Sequence, residues 1–84
     1  MKNSQVQIKI TGGSTGNRKI LNALNSQSTP ESLPFNNWII DYPSMREAEK
    51  SLRLANKYLK EEGSYLVGRK RLRYDSSVAE IIKM

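Results

Sequence analysis

The second half of the chain contains one apolar stripe that narrows the folds open to it. Its members recur at spacings of three and four residues, which is the period of an α-helix with one buried face. They are Met45, Ala48, Leu52, Ala55 and Leu59. Ser44 and Glu47 form a capping box before the stripe, and Gly63 stands where a helix commonly ends. The pattern predicts a helix over 45–62, which needs a second layer on which to bury its apolar face.

Three segments predict that the second layer is a β-sheet. Apolar and polar residues alternate over 5–11, as in a strand with one buried and one solvated face. Residues 35–42 are rich in aromatic and β-branched side chains on both faces, which is typical of a central strand. Residues 65–74 predict a third strand, either continuous or folded into a tight hairpin at Gly68.

Two shorter helices are expected in addition to the long one. Residues 18–27 place their aliphatic side chains on one stripe, which predicts a helix of two to three turns. Over 75–82, Ser77 and Glu80 form a second capping box ahead of apolar residues, which predicts a last short helix. Residues 26–34 contain two prolines, three serines and a threonine, a composition typical of a loop or connector.

These elements add up to one small domain spanning 1–84. A chain of 84 residues is long enough for a single core and no more. Strands that alternate with helices in the order β-α-β-α-β-α favour an α/β or α+β fold. Because about three strands cannot fill two helical layers, we expect a two-layer sandwich with about two to three helices on one sheet face.

The composition excludes several classes of function. The chain has no cysteine and no histidine, which removes disulfides, thiolate zinc sites and the usual general base near neutral pH. The serines and lysines have no identifiable activating partner, so we expect neither an enzyme nor a bound metal or cofactor. The chain opens on polar residues and has no apolar run long enough to span a membrane, which predicts a cytoplasmic protein.

A glycine-rich turn follows the first predicted strand. Residues 10–16 read Ile-Thr-Gly-Gly-Ser-Thr-Gly, and backbone amides often bind phosphate where a strand passes through such a turn into a helix. Over about six residues the turn resembles the nucleotide-binding turn of short-chain dehydrogenases. Arg18 replaces the last glycine of that motif, and a dinucleotide fold needs more strands than this chain has. Arg18 and Lys19 are left as candidate anion contacts, and an ordinary strand-to-helix turn is the alternative.

The net charge is +6, from 14 basic and 8 acidic residues, and many basic residues fall into two arrays. The predicted long helix has a stripe without acids that contains Arg46, Lys50, Arg53 and Lys57. The third predicted strand contains Arg69, Lys70, Arg71 and Arg73. Each array has an alternative interpretation. The helix array is also typical of an ordinary solvated face, and the strand array of an edge strand charged to prevent pairing with another chain.

The two arrays support a functional hypothesis. Arginine binds phosphate through its planar, bidentate guanidinium group, so we predict a small nucleic-acid-binding module that contacts the backbone of DNA or RNA. Tyr65 shares a face with the arginines of a regular strand and is the best candidate to stack a base. An interaction module with an acidic protein partner is the alternative. If the helices cover the other sheet face, the two arrays lie on different sides of the domain, unless a hairpin at Gly68 changes this.

Overall fold

One antiparallel sheet and two α-helices make up the domain, which a computed structural model describes over residues 6–25 and 29–83. In chain order the elements are β1 (Val6–Thr11), α1 (Ser14–Ala23), β2 (Glu31–Leu33), β3 (Asn37–Tyr42), α2 (Met45–Leu59), β4 (Tyr65–Val67), β5 (Arg71–Tyr74) and β6 (Ser77–Lys83). A short 3-10 turn at Pro34–Asn36 leads into β3, and another at Lys60–Glu62 follows α2.

The six strands are ordered β2-β3-β1-β6-β5-β4, and every neighbouring pair is antiparallel. Helix α1 connects β1 to β2, which are not neighbours in the sheet because β3 lies between them. Helix α2 leads from β3 towards β6, and β1 lies between these two strands. This is the split β-α-β arrangement of ferredoxin-like folds. The hairpin β4–β5 is inserted between α2 and β6, and it widens the sheet beyond β6.

Both helices pack on the same face of the sheet. Ile8 and Ile10 of the central strand are fully buried there, together with Ile20 of α1 and Leu52 of α2. Burying an aliphatic side chain of this size contributes about 1.5–3 kcal/mol, so this face supplies most of the hydrophobic stabilisation. The opposite face of the sheet is not covered by any described element.

The predicted long helix is confirmed. Helix α2 runs from Met45 to Leu59, and Ser44 Oγ accepts a hydrogen bond from the Glu47 amide at 3.3 Å. One 3-10 turn follows the helix, and Gly63 ends it with a φ of 105°. The predicted apolar stripe faces the sheet and is buried, apart from the half-buried Met45. Capping and periodicity agree here, which is why the local sequence is sufficient to predict the element.

The prediction of a last helix over 75–82 is wrong, because these residues form the turn after β5 and most of strand β6. Ser77 and Glu80 are paired strand residues and do not cap a helix. Along β6 the inward positions are Ser77, Ala79 and Ile81. The first two are small where the helices lie close to the strand, so the apolar alternation that identifies a strand is weak.

The expected order β-α-β-α-β-α, with about three strands and two to three helices, is therefore wrong, because residues 6–25 and 29–83 form six strands and two α-helices. Helix α1 begins at Ser14 rather than at residue 18. The expected last residue of that helix, Gln27, and the expected first residue of the first strand, Gln5, both lie outside the described residues. Strand β2 lies within the segment 26–34 expected to be a connector, and it pairs with β3. Residues 26–28 of that segment lie outside the described residues. The third predicted strand is a hairpin, with a φ of 68° at Gly68.

Candidate nucleic-acid interface

The uncovered face of the sheet presents an aromatic side chain beside an arginine. Across the hairpin, Tyr65 of β4 lies opposite Arg73 of β5. Arg73 in turn lies opposite Val78 of β6, and Val78 lies opposite Thr11 of β1. We call these four residues the tyrosine row. Tyr65 is 54% exposed, Arg73 is exposed, and the row contains no acidic side chain.

A second row of side chains lies next to the tyrosine row. Val67 pairs opposite Arg71, Arg71 opposite Glu80, and Glu80 opposite Lys9. The Arg71 Nη2 atom donates a hydrogen bond to Glu80 Oε2 at 2.9 Å, and both side chains are nearly half exposed. Glu80 therefore lies between two cations, and the row continues from Lys9 through Ile39 to exposed Glu31, so its basic and acidic charges balance. Among the described residues, Arg73 makes no ion pair of this kind.

The hairpin turn extends the positive charge beyond the strands. Gly68 reverses the chain with a φ of 68°, and the next two residues, Arg69 and Lys70, are exposed. The turn is anchored to the sheet, because the Ile81 amide donates a hydrogen bond to Lys70 O at 2.8 Å. The whole strand array that the sequence predicts thus lies within one hairpin, and its members are exposed.

The strand order removes the edge-strand explanation for the two arginines of β5. Strand β5 lies between β4 and β6, so Arg71 and Arg73 are on an internal strand. The edge strand at this end of the sheet is β4, and its three residues are uncharged. Charges that protect a sheet edge from pairing belong on the edge strand itself. The arginines of β5 therefore need another explanation.

The helix array lies on the other side of the domain. Its exposed members are Arg46, Lys50, Arg53 and Lys57. They lie on the side of α2 opposite its buried stripe, and that stripe packs on the sheet face that includes Leu72. Arg71 and Arg73 alternate with Leu72 along β5, so they point to the opposite face. The two basic arrays do not form one continuous surface.

The glycine-rich turn is explained by internal packing. A Cβ atom at Gly12, where φ is 118°, would lie 2.2 Å from Ser76 O, and one at Gly16 would lie 2.4 Å from Ser77 Oγ. Ser77 Oγ also donates a hydrogen bond to Gly13 O at 3.0 Å. The glycines allow the turn and the first part of α1 to approach the β5–β6 connection closely.

The two candidate anion contacts on α1 have different surroundings. Lys19 Nζ donates a hydrogen bond to Glu62 Oε1 at 2.9 Å, and the Tyr74 hydroxyl donates to the same oxygen at 2.8 Å. These hydrogen bonds hold the pKa of Glu62 below its ordinary value, and the bond to Glu62 raises the pKa of Lys19. Arg18 is exposed and lines a cavity of about 320 Å³ together with Asn36.

The sequence predicts the basic residues and Tyr65 of this site but not their neighbours on the uncovered face. Val78 and Thr11 join the tyrosine row only through the pairing of β1, β5 and β6. Glu80 is the partner of Arg71 rather than a helix cap. The available signal was the alternation of inward and outward positions over 77–83, which the helical spacing of the apolar residues in the same segment obscured.

The comparisons with known proteins add no information on function. No protein-family model matches the chain, and neither a curated protein nor a solved structure matches it significantly. Within residues 6–25 and 29–83, no three His, Cys, Asp or Glu side chains are grouped to hold a metal ion. No helix in the described part of the chain is both long and apolar enough to cross a membrane.

Proposed function

We propose that this domain binds single-stranded nucleic acid on its uncovered sheet face, at the β4–β5 hairpin. The observation that supports this most directly is the pairing of exposed Tyr65 with exposed Arg73 on a face that no described element covers. Unpaired bases stack on exposed aromatic rings, and an antiparallel sheet is a common platform for such stacking. In a duplex the bases already stack on one another, so the ring offers a duplex no comparable contact.

The basic residues of the hairpin supply the attraction for phosphate. The Arg73 guanidinium, beside the ring of Tyr65, is suited to the phosphate next to a stacked base. Arg69, Lys70 and Arg71 extend the positive charge along the hairpin. Because these contacts involve the backbone and the faces of bases, we expect little sequence preference and binding to both RNA and DNA single strands.

The distribution of carboxylates favours a path for the strand along the tyrosine row. Glu80 and Glu31 lie in the neighbouring row, Asp75 lies in the turn after β5, and Asp41 lies farther along the sheet, where Gln7 Nε2 donates a hydrogen bond to its Oδ1 at 2.8 Å. The tyrosine row itself continues from Arg73 through Val78 to Thr11 without an acid. A polyanion that follows this row meets fewer carboxylates than one that follows the neighbouring row.

Titration of a labelled oligonucleotide at several salt concentrations tests the proposal. If the four cations of the hairpin neutralise four phosphates of a single strand, log K falls against log salt with a slope of about −2.8. We expect the single strand to bind more tightly than the duplex of the same sequence. An absence of binding at low salt, an affinity independent of salt, or equal affinities for the single strand and the duplex would contradict the proposal.

The two basic arrays provide a matched pair of variants for this titration. Arg73→Ala and Lys50→Ala each remove one exposed positive charge, on opposite sides of the domain. If net charge alone attracts the oligonucleotide, both variants weaken binding equally. We expect Arg73→Ala to weaken single-strand binding about tenfold, and Lys50→Ala to leave it within about twofold.

The helix array favours a second candidate function, which is the binding of an acidic protein. A groove of about 500 Å³ between α1 and α2 is lined by the aliphatic side chains of Leu24 and Leu59 and by Tyr58, which is 67% exposed. Arg53 and Lys57 lie on the adjacent surface of α2, one turn apart. The aliphatic lining of the groove can bind an apolar side chain of a polypeptide, and the neighbouring cations can bind its carboxylates.

A labelled acidic amphipathic peptide tests the second candidate, with a polyglutamate peptide of equal charge as the control. We expect the amphipathic peptide to bind more tightly, because it alone places an apolar side chain in the groove. Arg53→Glu is expected to abolish this binding, and Arg73→Glu, the same charge change on the opposite face, to leave it unaltered. Equal binding of both peptides, or equal effects of both variants, would contradict a site at this groove.

A further inference from the structure

Phe35 is the most exposed of the large apolar side chains in the described part of the chain, with 86% of its surface accessible. It lies in the 3-10 turn before β3, where Phe35 and Asn36 have positive φ values of 65° and 61°. Residues other than glycine adopt this conformation at an energetic cost, and such residues cluster at functional sites. Because the ring is not buried, core packing does not explain why a phenylalanine occupies this position.

A buried side chain holds the turn in this conformation. Asn17 of α1 is fully buried, and its Nδ2 donates hydrogen bonds to Asn36 O at 3.0 Å and to Asn37 Oδ1 at 3.3 Å. The same nitrogen lies 3.4 Å from Gly12 O. These bonds attach the turn to α1 and to the glycine-rich turn. A defined backbone therefore presents the exposed ring, which lowers the ordering cost of any contact that it makes.

The turn that contains Phe35 lies at the same end of the sheet as the tyrosine row. Trp38 of β3 pairs opposite Ile10 of β1, so Asn37 comes opposite Thr11, the last member of the row, and Phe35 lies two residues beyond it. Tyr65 is on β4, four strand-to-strand steps from β3. At a spacing of about 4.8 Å per step, the two strands are about 19 Å apart.

We infer that Phe35 is a second stacking site for the same single strand, at the far end of the tyrosine row. The inference rests on the proposed function and adds the length and direction of the site. The strand crosses the sheet from β4 to β3 along the row without acids, and a base stacks on the aromatic ring at each end. Long single strands therefore engage both rings, and short ones engage the ring beside the hairpin array.

A length series of labelled single strands, from about 4 to about 16 nucleotides, tests the inference. In the wild type we expect affinity to rise sharply once the oligonucleotide spans both rings. Phe35→Gly is expected to weaken the binding of the longest strands about tenfold and to leave the shortest unchanged. Because glycine accepts the positive φ, the same variant is expected to unfold at an unchanged or higher temperature. A purely structural role of the ring would lower that temperature.

Two conservative variants separate stacking from general apolarity. Phe35→Tyr keeps an aromatic ring and is expected to bind long strands like the wild type. Phe35→Leu keeps the apolar character and the backbone strain, and is expected to bind them as weakly as Phe35→Gly. Long strands that bind Phe35→Gly as tightly as the wild type, or an equal loss for short and long strands, would overturn the inference while leaving the proposed function intact. Failure of the wild type to bind any length in a salt-dependent way would overturn both.

Discussion

The glycine-rich turn after β1 and the β4–β5 hairpin both resemble binding motifs in the sequence, but the fold uses them differently. A Cβ atom at Gly12 would lie 2.2 Å from Ser76 O, whereas one at Gly68 would have no atom within 4 Å. The first segment is made of glycines because another part of the chain occupies the space around it. The turn of the second segment faces solvent at Gly68, and its characteristic residues, Tyr65 and Arg73, are exposed.

This difference separates residues required for folding from residues available to a ligand. Contacts inside the domain explain the glycines of the first segment. Lys19, which follows them on α1, forms an ion pair with Glu62. No internal contact of the described residues explains an arginine at position 73 of an internal strand. The glycine-rich turn is the segment that resembles a known motif, but internal packing explains its glycines and does not explain the arginines of the hairpin.

The largest expected difference between the two segments is the loss of unfolding free energy when alanine replaces one glycine in each. Gly12→Ala places a methyl group against a backbone carbonyl at a φ of 118°, so we expect a loss of about 3 kcal/mol or more in unfolding free energy. Gly68→Ala keeps a positive φ but meets no atom, and we expect a loss of about 1 kcal/mol. Denaturant unfolding measures both losses. Equal losses would show that packing does not distinguish the two turns.

Tyr65 gives the next largest effect, on binding rather than on folding. Removal of a stacking ring costs about 1–3 kcal/mol of single-strand affinity, so we expect that loss for Tyr65→Ala and little loss for Tyr65→Phe. Unfolding free energy is expected to change by less than about 0.5 kcal/mol, because the ring is exposed. Tyr58→Ala, an exposed tyrosine on α2, is the matched control and is expected to bind normally. A large loss of stability in Tyr65→Ala would place the ring among the residues required for folding.

Glu80 allows a gain of affinity to be tested on the hairpin. Its carboxylate accepts a hydrogen bond from Arg71 at 2.9 Å and competes with a phosphate for that guanidinium. Glu80→Gln removes the competing charge, so we expect single-strand affinity to rise about two- to threefold. The exposed ion pair contributes about 1 kcal/mol or less, so stability is expected to change little. Unchanged affinity in an oligonucleotide titration would show that Arg71 does not contact the strand.

The smallest expected effect is on stability, from the ion pair between Glu62 and Lys19 of the helix that follows the glycine-rich turn. The hydrogen bonds from Lys19 and Tyr74 lower the pKa of Glu62, whose ordinary value is 4.5. A carboxylate with a lowered pKa stabilises the fold above its unfolded-state pKa, and this contribution is lost as pH falls through the folded-state pKa. We therefore expect Glu62→Gln to be less stable than the wild type at neutral pH, with a difference that disappears in acid. A stability difference that persists unchanged at low pH would contradict a contribution from this ion pair. The nucleic-acid affinity of Glu62→Gln is expected to equal that of the wild type.

Local signals predicted the parts of the fold in which capping, periodicity and burial agree. Helix α2 is the main case, because Ser44 caps it and its apolar stripe is buried along nearly its whole length. Strand β6 was missed because two of its inward residues, Ser77 and Ala79, are small and its apolar residues fit a helical spacing. Strand β2 was missed because it is three residues long and lies at a sheet edge between prolines.

The candidate site was predicted only in its basic residues and Tyr65. Composition and charge spacing identify Arg71 and Arg73, but the tyrosine row depends on which strands pair and in which register. The exposure of Phe35 depends on a hydrogen bond from Asn17 to the turn, a contact between residues distant in sequence. Contacts of this kind leave no local pattern, so residue-by-residue reasoning does not predict them.

Backbone amide NMR shifts, recorded while an unlabelled single strand of about 16 nucleotides is added to the nitrogen-15-labelled protein, test the central claim most directly. We expect the largest shifts along β4 and β5, around Val78 and Thr11, and in the turn at Phe35. The amides on the exposed face of α2 are expected to shift little. The largest shifts on α2, or in the turn at Gly12 alone, would contradict the assignment of the nucleic-acid site to the uncovered sheet face.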